Sequence, residues 1–318
     1  MDPMLPNDPL TATPSVELLP IESASERYDR LRDEVRALAQ SGDYELALPI
    51  AETAHELART LGDERRLAMA RLNLAVISLF TGRAGEHVSD LRRVLMRNYD
   101  AETSFIAAYN LCLAYELKKE YKKMLFYARI ARDRAEASGN DAYLASSHNQ
   151  MGNGFTAESF FGDAIDHYRR ALGLSRADLD LVTVPVRFNL GYCEILVGDW
   201  RRGFGRLFAC LRWLRRHPMA EYQAQTHLAL SVGYLEIGRV EHAWRHGRRA
   251  LAHAERSGKV DTIKAALFQM GEIERTGGDL EAAYDYFSQV QQRFYPDQPD
   301  APALLAGVSM AKVVNLWA

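Results

Sequence analysis

One amide side chain recurs at a fixed place in this sequence. Asn73, Asn110 and Asn189 each stand nine residues before a turn signal, at Gly82-Arg83, Lys119-Glu120 and Gly198-Asp199. Gln150 and Gln269 hold the same place before Ser159-Phe160 and Gly278-Asp279, and Ala229, before Gly238, breaks the row. An amide offers donors and an acceptor together, so a ladder of amides along one surface can hold an extended peptide by its backbone. The competing reading is that these amides bond to adjacent helices and meet no ligand.

A second cluster is basic. Arg201, Arg202, Arg206, Arg212, Arg215 and Arg216 fall in one stretch with no acid among them. Arg245, Arg248 and Arg249 follow in the next period, diluted by Glu241 and Glu255. Merged on one face, they would draw phosphates or an acidic partner. Solvated outer-face arginines are the plainer reading, and without a recognisable binding motif nucleic acid is disfavoured as the partner. His242, His246 and His253 are spaced by four and seven residues and share a helical face. With so few carboxylates and no cysteine beside them, they are not expected to hold a metal. No glycine-rich phosphate loop, nucleophile elbow or strand-borne acid pair occurs, so neither catalysis nor a cofactor is expected.

The elements that carry these residues are helices. From Ser25 onward, apolar residues recur at steps of three and four, and turns fall at Gly42, Gly82, Lys119, Ser159, Gly198, Gly238 and Gly278, at intervals of 40, 37, 40, 39, 40 and 40 residues. Each period divides into two helices. Seven residues before the turn stands a small residue: Ala75, Cys112, Gly152, Gly191, Ser231 or Gly271. Five residues past it come Ala47, Ala164, Gly203, Ala243 and Ala283, with a second small or β-branched set twelve past, from Ala54 to Val290. Small side chains at matched sites let antiparallel helices approach closely. A hairpin of this kind cannot bury both faces alone, so neighbours must stack.

This arrangement resembles the tetratricopeptide repeat family across residues 25–295. Gly42-Asp43-Tyr44 with Ala47, and Gly278-Asp279-Leu280 with Ala283, are similar to the family's turn, while Asn189-Leu190-Gly191-Tyr192 and Asn73-Leu74-Ala75 match its first helix. The long period with asparagine looks like the subgroup of kinesin light chains and bacterial peptide receptors and activators. The resemblance implies an all-α, right-handed solenoid of about seven hairpins plus a C-terminal helix. It also implies that first helices line a concave groove that takes a protein or peptide ligand. Offsets thirteen, ten, nine, six and three before each turn then point inward. The expected groove residues are Asn73, Tyr109, Asn110, Ser146, Asn149, Gln150, Asn153, Phe188, Asn189, Tyr192 and Gln269. His87 and Met124 depart from the pattern by replacing the small residue after the turn, and the turn at Lys119 lacks glycine.

Two ends bound the array. Residues 1–22 carry Pro3, Pro6, Pro9, Pro14 and Pro20 and are expected to form an extended, disordered tail, leaving 23–318 as one repeat domain. Residues 300–317 read as one more first helix, so apolar (Leu304, Leu305, Val308, Val313, Val314, Leu316, Trp317) that two readings stand: the array continues past Ala318, or another chain covers this end by self-association. The net charge of −3 points to no polyanion or membrane surface. Cys112, Cys193 and Cys210 sit inside apolar helical patterns and read as buried thiols in a reducing compartment. With no secretory signal and no long apolar run, a cytoplasmic location is expected.

Overall fold

The structure, a computed structural model, describes residues 22–83, 86–175 and 183–307. The proline-rich segment through residue 21 and the apolar stretch from residue 308 lie outside the described residues. Every regular element described is an α-helix: α1 (Ala24–Ser41), α2 (Tyr44–Leu61), α3 (Glu64–Phe80), α4 (Val88–Arg97), α5 (Ala101–Leu117), α6 (Tyr121–Ser138), α7 (Asp141–Ala157), α8 (Phe161–Leu174), α9 (Thr183–Leu196), α10 (Trp200–Leu214), α11 (Ala220–Glu236), α12 (Val240–Ser257), α13 (Val260–Gly277), α14 (Leu280–Phe294) and α15 (Ala301–Gly307). No strand occurs among the described residues.

The seven turn signals share one geometry. At each, the turn residue is left-handed, from φ 85° at Gly42 to φ 92° at Gly278. At all seven the next N–H closes back five residues, and at six the turn residue's own N–H closes back three, as in Asp199 N to Glu194 O (2.8 Å) and Gly198 N to Ile195 O (3.0 Å). These paired bonds satisfy carbonyls that the helix end would otherwise leave open, and they require positive φ at the turn residue. Glycine adopts that conformation freely. Lys119 (φ 55°) and Ser159 (φ 63°) adopt it with a side chain, which costs about 1–2 kcal/mol each. The turn therefore forms at Lys119 even without glycine.

The chain divides into two compact units, residues 1–77 and 78–318. In the first, Tyr28, Leu31 and Val35 of α1 are buried with Ala47, Ala51, Ala54 and Ala58 of α2 and Ala70, Leu74 and Ile77 of α3. The Tyr28 hydroxyl donates to the Arg66 carbonyl at 2.9 Å. In the second, α4 packs on α5, and the hairpins α5–α6, α7–α8, α9–α10, α11–α12 and α13–α14 follow. Each helix meets the next in the chain, and each first helix also meets the next first helix: α5 on α7, α7 on α9, α9 on α11, α11 on α13. Such nearest-neighbour packing is that of a helical solenoid. The first helices, covered on several sides, are buried around most of their circumference, whereas α10 and α12 keep one charged face exposed.

The small residues at offset seven have a second purpose besides close approach. Close backbone approach is present at Gly191 and Gly203, where a Cβ on Gly203 would lie 2.8 Å from the Gly191 carbonyl. Elsewhere the small residue makes room for a ring nine residues past the turn. A Cβ on Gly152 would fall 2.5 Å from the Tyr168 ring, and one on Gly271 2.5 Å from the Phe287 ring. In the α11–α12 hairpin the roles move: the glycine is Gly247 on the second helix, and Ser231 on the first donates to the Ala243 carbonyl at 2.9 Å. Met124, which replaces a small residue, is fully buried beside α5. At the end of the array, Leu305 of α15 packs on Phe268 and Phe287 while Leu304 is exposed. The rest of the expected self-association surface lies outside the described residues.

Candidate functional site

The second unit contains a groove of about 990 Å³. Its walls come from the first helices α5, α7, α9, α11 and α13, with Tyr121 and Met124 of α6 and Tyr168 of α8 adding to them. The lining residues follow the helical period. Pro185, Gln225 and Ala265 stand thirteen before their turns; Asn149, Phe188 and Phe268 ten before; Asn189 nine; Asn153 and Tyr192 six; Glu116 and Thr156 three. Steps of three and four put these positions on one helical face, and stacking sets the faces side by side.

Of the eleven residues expected there, Asn149, Asn153, Phe188, Asn189 and Tyr192 are brought together on the groove wall. The amide ladder at offset nine differs from expectation. Asn110, Gln150 and Gln269 are only 5%, 3% and 3% exposed, turned into the seams between helices. Asn110 Nδ2 donates to the Ile106 carbonyl one turn back, at 2.8 Å. Offset nine sits at the margin of the inward face, so a side chain there is covered by the neighbouring first helix. Tyr109 packs on Phe105, with ring centroids 5.6 Å apart, and the Ser146 hydroxyl donates to the Ala142 carbonyl at 2.9 Å. Asn73 is half-buried on α3, in the first unit.

Asn153 is the hub of the groove floor. Its Nδ2 donates to Gln150 Oε1 (3.1 Å) and Glu116 Oε1 (3.3 Å), while its Oδ1 accepts from Asn189 Nδ2 (3.0 Å) and the Tyr168 hydroxyl (3.0 Å). One amide thus ties α5, α7, α8 and α9 with its full bonding capacity. Asn149, one turn earlier on α7, is different: its Oδ1 is buried on the groove wall with no hydrogen-bond partner. Glu116, beside the hub, is partly accessible from the groove. Burial raises its carboxyl above the usual carboxylate range, offset in part by the Asn153 and Gln150 amides.

The far wall was not legible residue by residue. Gln225 and Phe268 stand at the expected offsets, and extending the register past the amides would have found them. Tyr222, Val260, Asp261 and Tyr295 reach the groove from helix starts and a loop, where no periodicity applies. Glu221 is held by neutral donors, the Thr262 hydroxyl (2.5 Å), the Gln225 amide (2.7 Å) and the Ser257 hydroxyl (2.9 Å). Lys264 pairs with Asp261 at 3.4 Å and lies over the Tyr295 ring.

The expected basic patch is broken up by pairing. Arg206 donates to Glu194, a fully buried carboxylate that Arg169 also reaches, at 2.8 and 3.4 Å. Arg206 is therefore a packing partner that joins α9 and α10. Arg202 pairs with Asp199 (3.2 Å) and Arg245 with Glu241 (2.5 Å), and Arg248 lies over the Trp244 ring at 4.8 Å. Arg201, Arg212, Arg215, Arg216 and Arg249 are exposed. The histidine face resolves differently too. His246 shares a hydrogen bond with His227 (Nδ1 to Nδ1, 2.9 Å), and the same pair recurs between α7 and α8 as His148 and His167, also at 2.9 Å. Among the described residues no group of three or more His, Cys, Asp or Glu is placed to hold a metal. The three cysteines are buried free thiols, and burial pushes each thiol up.

A stacked helical array with a groove built from its first helices defines the class: the fold is of the tetratricopeptide repeat type. Solved structures agree. The chain is similar to NprR in complex with its cognate peptide NprX, with a TM-score of 0.69 and 14% identity over 91% of this chain and 85% of that one. It is similar to a Rap protein complexed with Competence and Sporulation Factor (TM-score 0.69, 13% identity, 91% of this chain and 79% of that one). It is likewise similar to a tetratricopeptide repeat protein from Parabacteroides merdae (TM-score 0.60, 13% identity, 90% and 99%). At these identities the likeness is one of fold. No family model matches the chain, and no curated protein matches it.

Proposed function

We propose that the protein is a non-catalytic regulator or scaffold, acting in the cytoplasm, that holds an extended peptide or protein segment in the groove of its second unit. The observation that carries this reading is the groove wall itself: Phe188, Tyr192 and Phe268 offer ring surface beside a buried acceptor, Asn149 Oδ1, that no protein group satisfies. Rings bury ligand side chains and a free amide oxygen takes a backbone N–H, which together suit an extended chain. Support comes also from NprR, which has this fold and was solved with its cognate peptide. Asn149, Phe188, Asn189 and Tyr192 are the proposed contacts, and Asn153, whose amide is already filled by protein groups, supports them from the groove floor. Asn110, Gln150 and Gln269 lie buried behind them: Asn110 bonds to its own helix, Gln150 accepts from Asn153, and Gln269 Nε2 has no hydrogen-bond partner. No helix among the described residues is long and apolar enough to cross a membrane.

Display selection of random peptides tests the reading. Selected peptides are expected to bind the wild type saturably and to lose binding to Gln225→Trp, which fills the groove from a half-exposed lining position. They should retain it with Arg212→Glu/Arg216→Glu on the outer face. Peptides that bind Gln225→Trp unchanged, or that depend on the arginines, would overturn it in favour of the outer basic face.

A further inference from the structure

The first helices of the second unit carry several buried or part-buried carboxylates, and their partners differ. Glu221 on α11 also lines the groove, but three neutral donors, from Thr262, Gln225 and Ser257, satisfy it. Glu194 on α9 is fully buried and paired with Arg206 and Arg169. Glu272 on α13 is fully buried and paired with Arg275 at 3.1 Å. Glu116 on α5 lines the groove and receives only neutral amides, with no ion pair to any described Lys, Arg or His. A carboxylate drawn out of water is stable when a cation or several good donors replace its hydration. The chain meets that need at Glu194 and Glu272 and leaves it unmet at Glu116. On the neighbouring helix, Asn149 Oδ1 is a second buried acceptor without a donor. Leu117, Tyr121 and Met124 adjoin it on the groove lining, with Lys119 at the turn beyond, which forms no ion pair with Glu116. Two acceptors, one of them a carboxyl without a cation partner, beside rings, match one chemistry: a guanidinium or ammonium on a flexible apolar stem.

We infer that Glu116, with Asn149 beside it, forms a subsite in the groove for an arginine or lysine side chain of the bound peptide. The inference rests on the groove reading above and adds the chemical identity of one ligand position. Glu116 accepts the cation's N–H bonds, and the Asn153 hub holds the carboxyl in place from behind. Asn149 Oδ1 takes a further N–H from the guanidinium or from the peptide backbone next to it.

The test runs random heptapeptide display in parallel on the wild type and on Glu116→Gln, which keeps the shape and amide bonding but removes the charge. Wild-type selection is expected to enrich Arg or Lys at one position, and Glu116→Gln selection to lose that enrichment. A wild-type-selected peptide is then remade with citrulline for arginine, or norleucine for lysine, a change that leaves the protein untouched. The wild type should bind the neutral peptide about tenfold or more weakly, and Glu116→Gln should bind both forms alike. Selected peptides without a basic residue, equal wild-type binding of charged and neutral forms, or undiminished discrimination by Glu116→Gln would each overturn the subsite. If Gln225→Trp abolishes binding while charge has no effect, the subsite falls and the groove stands. If Gln225→Trp has no effect, both fall.

Discussion

At the scale of single residues, an amide's role depends on whether its bonding capacity is already filled. Asn153 uses both ends of its amide on protein groups from four helices. Asn153→Ala therefore removes one hydrogen bond each from Glu116, Gln150, Asn189 and Tyr168, of which Tyr168 keeps its bond to Thr156. Each buried group left without a partner costs about 1–3 kcal/mol. The main melting transition should drop by several degrees, at about 2–4 °C per kcal/mol in a unit of this size. An unchanged melting temperature would show that the hub is dispensable.

The histidine pairs give a second residue-scale expectation. Burial, then neighbouring positive charge, depresses His227 to about 3 and His167 and His246 to about 4. The unfolded chain takes up these protons near pH 6.5 and the folded chain does not, so the unfolded state binds more protons in between. Stability is thus complete above about pH 6.5 and is lost as the pH falls toward 4. Between pH 6.5 and 5 ordinary carboxylates titrate little, and the raised Glu116 carboxyl would favour the folded state as the pH falls, so a melting temperature that declines across that window reports the histidines. His227→Leu/His246→Leu should flatten the decline, and an equally steep profile in that variant would place the titration elsewhere.

At the scale of elements, the hairpins are held by matched volumes across the first and second helix. Gly152 faces Tyr168 with no space for a methyl group, whereas Gly205, inside α10, has nothing within 4 Å of an added Cβ. Gly152→Ala should force the ring aside and cost about 1–3 kcal/mol. Gly205→Ala should instead stabilise by about 0.5–1 kcal/mol, because alanine loses less backbone freedom in a helix. Chemical denaturation of the two variants checks the contrast. Equal effects would mean that helix propensity, not the Gly152–Tyr168 fit, decides.

At the scale of the whole molecule, the formal charge is near balance, and of the clustered arginines Arg202, Arg206 and Arg245 are paired with carboxylates while Arg201, Arg212, Arg215, Arg216 and Arg249 are exposed. A phosphate-bearing partner on the outer arginines would lose affinity steeply with salt, with a log–log slope of about −0.9 per phosphate contacted on duplex DNA. A groove ligand held by amides, rings and one charge pair should show a slope shallower than about −1. Titrating a selected peptide from low to high salt measures it. A slope of several units would move the binding site from the groove to the outer face.

The period, the paired helices and the left-handed turns are local facts, and local sequence determines them. Recurrence near forty residues, apolar steps of three and four, and glycine at five of seven turns leave one architecture for chain that must stack to bury its faces. The inward register was legible for the same reason: helical period alone assigns offsets thirteen, ten, six and three to one side. What tertiary structure decided is which inward amide is free. Asn149 and Asn153 are one helical turn apart and chemically alike, yet one is saturated and the other has an unpartnered oxygen. The difference comes from Glu116, Tyr168 and Asn189, 37, 15 and 36 residues from Asn153: the repeat places them on neighbouring helices, but it does not say which side chain reaches which amide. The same holds for Arg206, solvated by every local rule but drawn onto Glu194 by the α9–α10 crossing. Spacing in the chain sets which face a side chain shares, and only packing sets which partners reach it.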